Sequence, residues 1–150
     1  MRAVVIVSST AYGDGGGAIP GALLASPRDD AGNLIMIGTG QQHWSTVHVA
    51  DLADVFRRAL ENGFARGRYV IGNGVNSTLA ELTEAAAAAA GASGAVPGSD
   101  EEARARLGDN FAEVLLLDQG TDAAKARAEL GWHPSHPSLA DEFRHGSYRT

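Results

Sequence analysis

Tyr12, His43, His48 and Asp51 are the side chains of this sequence best suited to moving protons, and the last three fall in one stretch, Gly38 to Leu60. An imidazole titrates near neutral pH, and a neighbouring carboxylate orients it, so His43, His48 and Asp51 can be drawn as an acid/base set or a metal site. A plainer reading competes with it. Strand alternation turns His48 away from Val47 and Val49, where it ties strand to helix through a hydrogen bond. Asp51 is then an acid placed at a helix start, where the dipole favours it. His133 and His136 lack the helical i, i+4 spacing that presents two imidazoles to one metal, and the chain has no cysteine, so no metal site is expected. Trp44, flanked by Gln42 and His43, offers a large apolar wall with one donor, which suits a small-molecule pocket.

The segment Gly13-Asp14-Gly15-Gly16-Gly17-Ala18 fits Gly-x-Gly-x-x-Ala, a pattern whose glycines let backbone approach a pyrophosphate. That chemistry also needs a long helix behind the loop and an acid about 20 residues on for the ribose. Here the following helix is short and contains Pro20, and the strand Leu34 to Ile37 ends without an acid. A glycine loop beside a substrate, with Gly15 in contact, fits better. Tyr12 precedes this loop. Lys125 is the chain's one lysine and lies far along it. Without a lysine beside it Tyr12 stays a phenol near ~10, a poor base at neutral pH, so packing or hydrogen bonding competes with a catalytic role.

These residues need elements to position them. Ala3 to Ser9 is a continuous β-branched run, the pattern of a strand buried on both faces in a parallel sheet. Ile19 to Ser26 reads as a short helix with Pro20 in its first turn, Pro27 to Gly32 as a polar turn, and Leu34 to Ile37 as a strand. Asp51 to Asn62 is the clearest helix: Leu52, Val55, Phe56, Ala59 and Leu60 make one apolar face, and Gly63 stands where a left-handed cap would. Arg68 to Gly72 is a strand. Thr78-Leu79-Ala80-Glu81 opens a helix as a capping box, the alanine run to Ala90 propagates it, and Gly91 closes it. Gly94 to Gly98 is a linker or edge strand, Ser99 to Leu107 a charged helix, and Val114 to Asp118 a strand. Thr121 to Leu130 is a helix closed by Gly131, and Pro137-Ser138 starts a last one.

Tyr12-Gly13, the Val47-His48-Val49-Ala50-Asp51-Leu52-Ala53 segment, Thr78-Leu79-Ala80-Glu81-Leu82 and Leu130-Gly131-Trp132-His133-Pro134 occur in an order that resembles the C-terminal half of the extended short-chain dehydrogenase/reductases, the NAD-dependent epimerase/dehydratase family. The resemblance covers nearly the whole chain. It implies an α/β fold made of late strands of a Rossmann-type sheet plus a helical substrate-binding lobe. The family's N-terminal half, with its dinucleotide fingerprint and Tyr-x-x-x-Lys pair, has no counterpart here. Ser8 to Tyr12 imitates the family's catalytic serine strand without the lysine that should follow. Where sugar-nucleotide members place an arginine for phosphate, this chain has Trp44. The resemblance implies NAD(P) as cofactor, not bound by this chain alone, with Tyr12 and Gly13 near it if a nucleotide half is present.

The bulk properties agree with a soluble enzyme-like module. One domain over residues 1–150 is expected from length, and the net charge of -6 with scattered cations argues against nucleic acid. No apolar run approaches the ~20 residues of a membrane span. The apolar start at Met1 stops too soon for a signal peptide, so a cytoplasmic location is expected. A strand as apolar as Val4 to Val7 needs covering, by a second copy in a homodimer or by a separate nucleotide-binding partner. Three functions remain open: the substrate lobe of an oxidoreductase- or epimerase-type protein, a cofactor-free cyclase, isomerase or dehydratase acting on an apolar molecule, and a non-catalytic binding module.

Overall fold

A computed structural model describes residues 3–149; Met1 and Arg2, which begin the apolar run, and Thr150 lie outside the described residues. The chain runs β1 (Val4–Ser8), β2 (Thr10–Tyr12), α1 (Ala18–Leu24), β3 (Leu34–Ile35), β4 (His43–Trp44), β5 (Thr46–His48), α2 (Val49–Glu61), β6 (Gly67–Ile71), β7 (Ser77–Thr78), α3 (Leu79–Ala89), β8 (Ala95–Val96), α4 (Asp100–Leu107), α5 (Asp109–Leu116), α6 (Ala124–Leu130) and α7 (Leu139–His145). It is an α/β fold. β1 pairs in parallel with β6, β2 with β5 and β3 with β8, while β4 and β7 are antiparallel. β1 and β2 are almost one strand. At the break the Ser9 amide still bonds Ile71 and the Thr10 amide turns to Ser45, so the strand changes partner from β6 to β5.

Two apolar clusters hold these elements. Under β1 and β6, the second-strand residues Tyr69 and Ile71 pack with Val47, Val55, Leu130 and Trp132. The other cluster is built on α3, whose Leu79, Leu82 and Ala86 meet Leu23, Trp44 and Phe143. The alanine run serves this close packing: Ala85, Ala86, Ala87 and Ala89 are all buried, and small side chains let α3 lie near α1 and α7. The expected capping box is present at Thr78 and Glu81, and a second one forms at Ser99 and Glu102.

Four expectations need correction. The strand expected from Val114 to Asp118 is not formed. Val114 to Leu116 lies in α5, which buries Ala112 and Leu115 one turn apart, and a short apolar run carries no period that would tell helix from strand. Gly63 is not a left-handed cap: α2 stops at Asn62, in extended backbone, and the Asn62 side chain accepts from the Phe64 amide. The helix expected from Thr121 begins at Ala124, because the Thr121 and Asp122 side chains bond the amides of Ala123 and Ala124. And β1 is not buried on both faces, since Val5 is 50% and Val7 38% exposed. The apolar face of α2 is also only half covered: Val55 is fully buried, while Phe56 is 50% and Leu60 75% exposed. No helix among the described residues is long and apolar enough to cross a membrane.

Candidate functional site at the carboxyl ends of β2 and β5

The parallel pair β2–β5 ends at Tyr12 and His48, which lie directly opposite each other in register. In open α/β sheets ligands bind outside the carboxyl ends of the strands, where the chain turns away and leaves room. A larger depression of about 450 Å³, between Phe64, Arg66 and Lys125, lies by the amino end of β6 and is lined by side chains already bonded to one another. The chemistry concentrates at the opposite end.

His48 is the N-cap of α2, and its Nδ1 accepts from the Ala50 amide at 3.2 Å. In a neutral ring this puts the proton on Nε2. The ring meets Tyr12 edge-on at 5.4 Å and stacks flat on His136 at 4.2 Å between centroids. One turn into α2, the side chain of Asp51 is only 4% exposed and accepts four hydrogen bonds, from the amides of Ser135 and His136, the Ser135 hydroxyl and His136 Nδ1. Burial pushes this carboxyl up, but the bonds from His136 and Ser135 outweigh it and hold it below the ordinary value. The Asp51 carbonyl also accepts from the Trp132 indole. His48 thus ties β5 to α2 as its N-cap, and Asp51 is an acid in the first turn of α2 that bonds a turn from elsewhere in the chain. Sequence reasoning missed Ser135 and His136, whose turn lies 84 and 85 residues along the chain, a distance no local pattern spans.

Tyr12 donates its hydroxyl to the Pro137 carbonyl. Burial first, with the fields of Asp51 and Glu142 behind it, raises its pKa to about 12, although a bond from Asn73 acts the other way. A phenol so placed keeps its proton at neutral pH. The glycine loop is equally committed to the fold. The Gly13 amide donates to the Tyr148 hydroxyl, the Gly15 amide to Ser147, and the Gly16 amide to the Gly13 carbonyl, and Tyr148 donates on to Gly16. A phosphate cradle needs those amides free and convergent. Gly13 is glycine for another reason: with φ at 133°, a Cβ there would stand 2.6 Å from His48 Nε2.

Beside this loop is a shallow, mainly apolar depression of about 230 Å³, walled by Ala11, Tyr12, Gly13, Gly16, Gly17 and Val49. The carboxylates of Asp51 and Glu142 add negative field at Tyr12, and those of Glu142 and Asp14 at Tyr148, which bonds the loop. An apolar wall under a negative field suits a neutral ligand and resists a diphosphate. The set Trp44, Gln42, His43 and Gly15 does not come together as one pocket. Trp44 is buried in the α3 cluster with its indole donating to Leu115, so its ring is core and not an open wall. Gln42 donates to Ile37 and Leu115 and shares a surface depression with Thr39, Gln41, Asp100, Leu116 and Asp118. His43 faces solvent and pairs with Asp118 at 2.8 Å, while Gly15 is tied to Ser147. Among the described residues, no three His, Asp or Glu side chains converge as a metal site requires.

The arrangement leaves one group with chemical capacity. His136 is held through Nδ1 by a buried carboxylate, and its Nε2 is the acceptor of the neutral ring, with the side chain 40% exposed. That is the geometry of an oriented imidazole base.

Comparison with known proteins agrees with this architecture. The model of the NAD dependent epimerase/dehydratase family matches residues 1–72. The mouse epimerase family protein SDR39U1 is 32% identical over 142 residues, covering 92% of this chain and 46% of that protein. A crystal structure of the human SDR39U1 (isoform 2) with NADPH superposes with a TM-score of 0.77 at 27% identity, over 98% of this chain and 48% of that one. The dTDP-glucose 4,6-dehydratase of Bacillus anthracis, in complex with NAD, shares the fold at 17% identity and a TM-score of 0.65. The chain thus spans about half the length of the curated relatives it matches. Its matches are to the NAD-dependent epimerase/dehydratase family, and its α/β fold is that of the C-terminal half of an extended short-chain dehydrogenase/reductase.

Proposed function

We propose that this chain is the substrate-binding portion of an NAD(P)-dependent epimerase-, dehydratase- or reductase-like protein, and that a nucleotide-binding half completes it. One observation carries the reading: the chain aligns over 92% of its own length with a relative it covers by only 46%. The glycine loop supports it, because its amides bond Tyr148, Ser147 and Gly13 and leave no cradle for a pyrophosphate. The residues here therefore do not fit a whole dinucleotide. They fit the edge of a site, with Tyr12 and Gly13 presenting an apolar wall to whatever lies beyond β2. The substrate is a neutral small molecule, since Asp14, Asp51 and Glu142 disfavour an anion at that wall.

A second reading rests on His136. An imidazole oriented by Asp51 would let the chain act without a cofactor, as an isomerase or dehydratase that removes a proton from a bound neutral molecule. Isothermal titration of the purified chain with NADH and NADPH separates the readings from their opposite. No measurable binding by the chain alone is expected, and tight binding overturns the first reading. Turnover by the chain alone that disappears in His136→Gln would favour the second.

A further inference from the structure

We propose that the surface depression at Gln42 is a binding site for a small primary amine, its ammonium head held by Asp100, Asp118 and Gln42 and its alkyl stem laid on Leu116. The site shares no residue with the depression at Tyr12 and stands independently of the proposed function. Its volume is about 370 Å³, within the ordinary range of small-molecule sites, and Thr39 and Gln41 complete its lining. No Lys or Arg lines it among the described residues. The loop at its base is fixed before any ligand arrives: the Gly38 carbonyl accepts from Gly98, Gly40 from Ala80 and Gln42 from Leu79. Gly38 has φ at 64°, and a Cβ there would stand 2.5 Å from Leu116 Cδ2 and 2.9 Å from Asp100 Oδ1. The loop therefore lies directly against the α4 and α5 walls, and a pre-formed site loses little ordering entropy on binding.

Three separate segments supply acceptors that the fold leaves unused. Gln42, just before β4, is 9% exposed, and its Nε2 donates to the carbonyls of Ile37 and Leu115 at 3.0 and 3.3 Å. Those bonds fix which end of the amide is nitrogen and leave Oε1 without a donor among the described residues. That oxygen is not sealed in the core, since no buried side-chain N or O among the described residues lacks a partner, so it opens to the depression. Asp118, just past α5, uses Oδ1 for the amide and the imidazole of His43, which hold its carboxyl below the ordinary value, and Oδ2 has no partner. The Asp100 carboxylate, at the first residue of α4, has no hydrogen-bond or ion-pair partner among the described residues. Three acceptors beside one apolar side chain match an ammonium, which carries three donors and a point charge on a flexible stem. A guanidinium is a flat fork suited to a single carboxylate. A calcium ion takes about six to eight oxygens, and no three acidic or imidazole side chains converge among the described residues.

The test is titration of the isotope-labelled full chain with n-butylamine hydrochloride, followed by NMR. The backbone amides of Thr39 and Gln41 and the side-chain amide of Gln42 should shift together and saturate with a Kd of about 1–10 mM. n-Butanol has the same stem without the charge, and tetramethylammonium has the charge without an N–H. Each should bind at least about 5-fold more weakly than the amine. Asp100→Asn and Asp118→Asn should each weaken the amine at least about 5-fold. Both side chains are exposed, and the asparagine at 118 keeps an acceptor for His43, so both variants retain the parent's circular dichroism and melting temperature. Asp30→Asn, an exposed acid in the turn before β3, should leave the affinity unchanged and controls for net charge. No shift at these residues by about 50 mM amine overturns the proposal. So does equal binding of n-butanol or tetramethylammonium, or an unchanged affinity in either Asp100→Asn or Asp118→Asn. Displacement of the amine by calcium chloride at matched ionic strength overturns it as well, in favour of a metal site.

Discussion

At the scale of single residues, Asp51 and Gly13 hold the site together. Asp51 ties the Ser135–His136 turn to the first turn of α2, and its carboxyl lies below its ordinary value. A depressed carboxyl adds stability above its unfolded value, and that contribution disappears as pH falls through the folded value. The chain should therefore lose stability in urea melts below about pH 4, the ordinary range of an unfolded carboxyl. Asp51→Asn should be less stable by about 2–3 kcal/mol at pH 7, with the gap to the parent closing in acid. Tyr12 behaves in the opposite sense. Its raised pKa means the stability tied to its neutral form is present at neutral pH and is lost between about 10, the unfolded value, and about 12. Gly13→Ala must move His48 and accept a backbone angle that L residues avoid. It should cost about 1–3 kcal/mol in thermal unfolding, and the edge contact between Tyr12 and His48 should be lost from ring chemical shifts.

At the scale of elements, the two halves of one helix face behave differently. Val55 is fully buried beneath β1 and β6, so Val55→Ala should cost about 2–3 kcal/mol by urea denaturation. Phe56→Ala and Leu60→Lys lie on the same apolar stripe but on its bare side, and should move the isolated chain by no more than about 0.5 kcal/mol. A stripe that looks uniform in sequence thus divides into a core part and an exposed part. The cap of α3 gives an independent check on the larger cluster. Thr78→Ala removes the hydroxyl that accepts from the Glu81 amide and should lower stability by about 1 kcal/mol.

At the scale of the whole molecule, the fold is that of the carboxyl-end half of an extended reductase, and its exposed apolar residues gather around one strand edge. Val5, Val7, Val70, Phe56 and Leu60 are exposed around one strand edge, far more than scattered surface residues would require. The isolated chain should self-associate through this region at high concentration. Sedimentation velocity should show that Val5→Lys with Val7→Lys suppresses the association while leaving the circular dichroism unchanged.

The sequence by itself determined what rests on local order. The period of α2, the capping box at Thr78, the helix start at Ser99, the closing glycines Gly91 and Gly131, and the β-branched run of β1 are statements about near neighbours along the chain. The ordered set of short motifs pointed to the family as well. Tertiary structure decided which of those residues share a space. It brought Ser135 and His136 onto Asp51 and Tyr148 onto the glycine loop, and it drew Trp44 into the core instead of a pocket. It also left β1 bare on one side, although composition alone reads it as an interior strand. The physical reason is common to all of these. Hydrogen bonds and burial act between surfaces that meet only after the chain has closed over 71 to 135 residues, and no local window of sequence contains both partners.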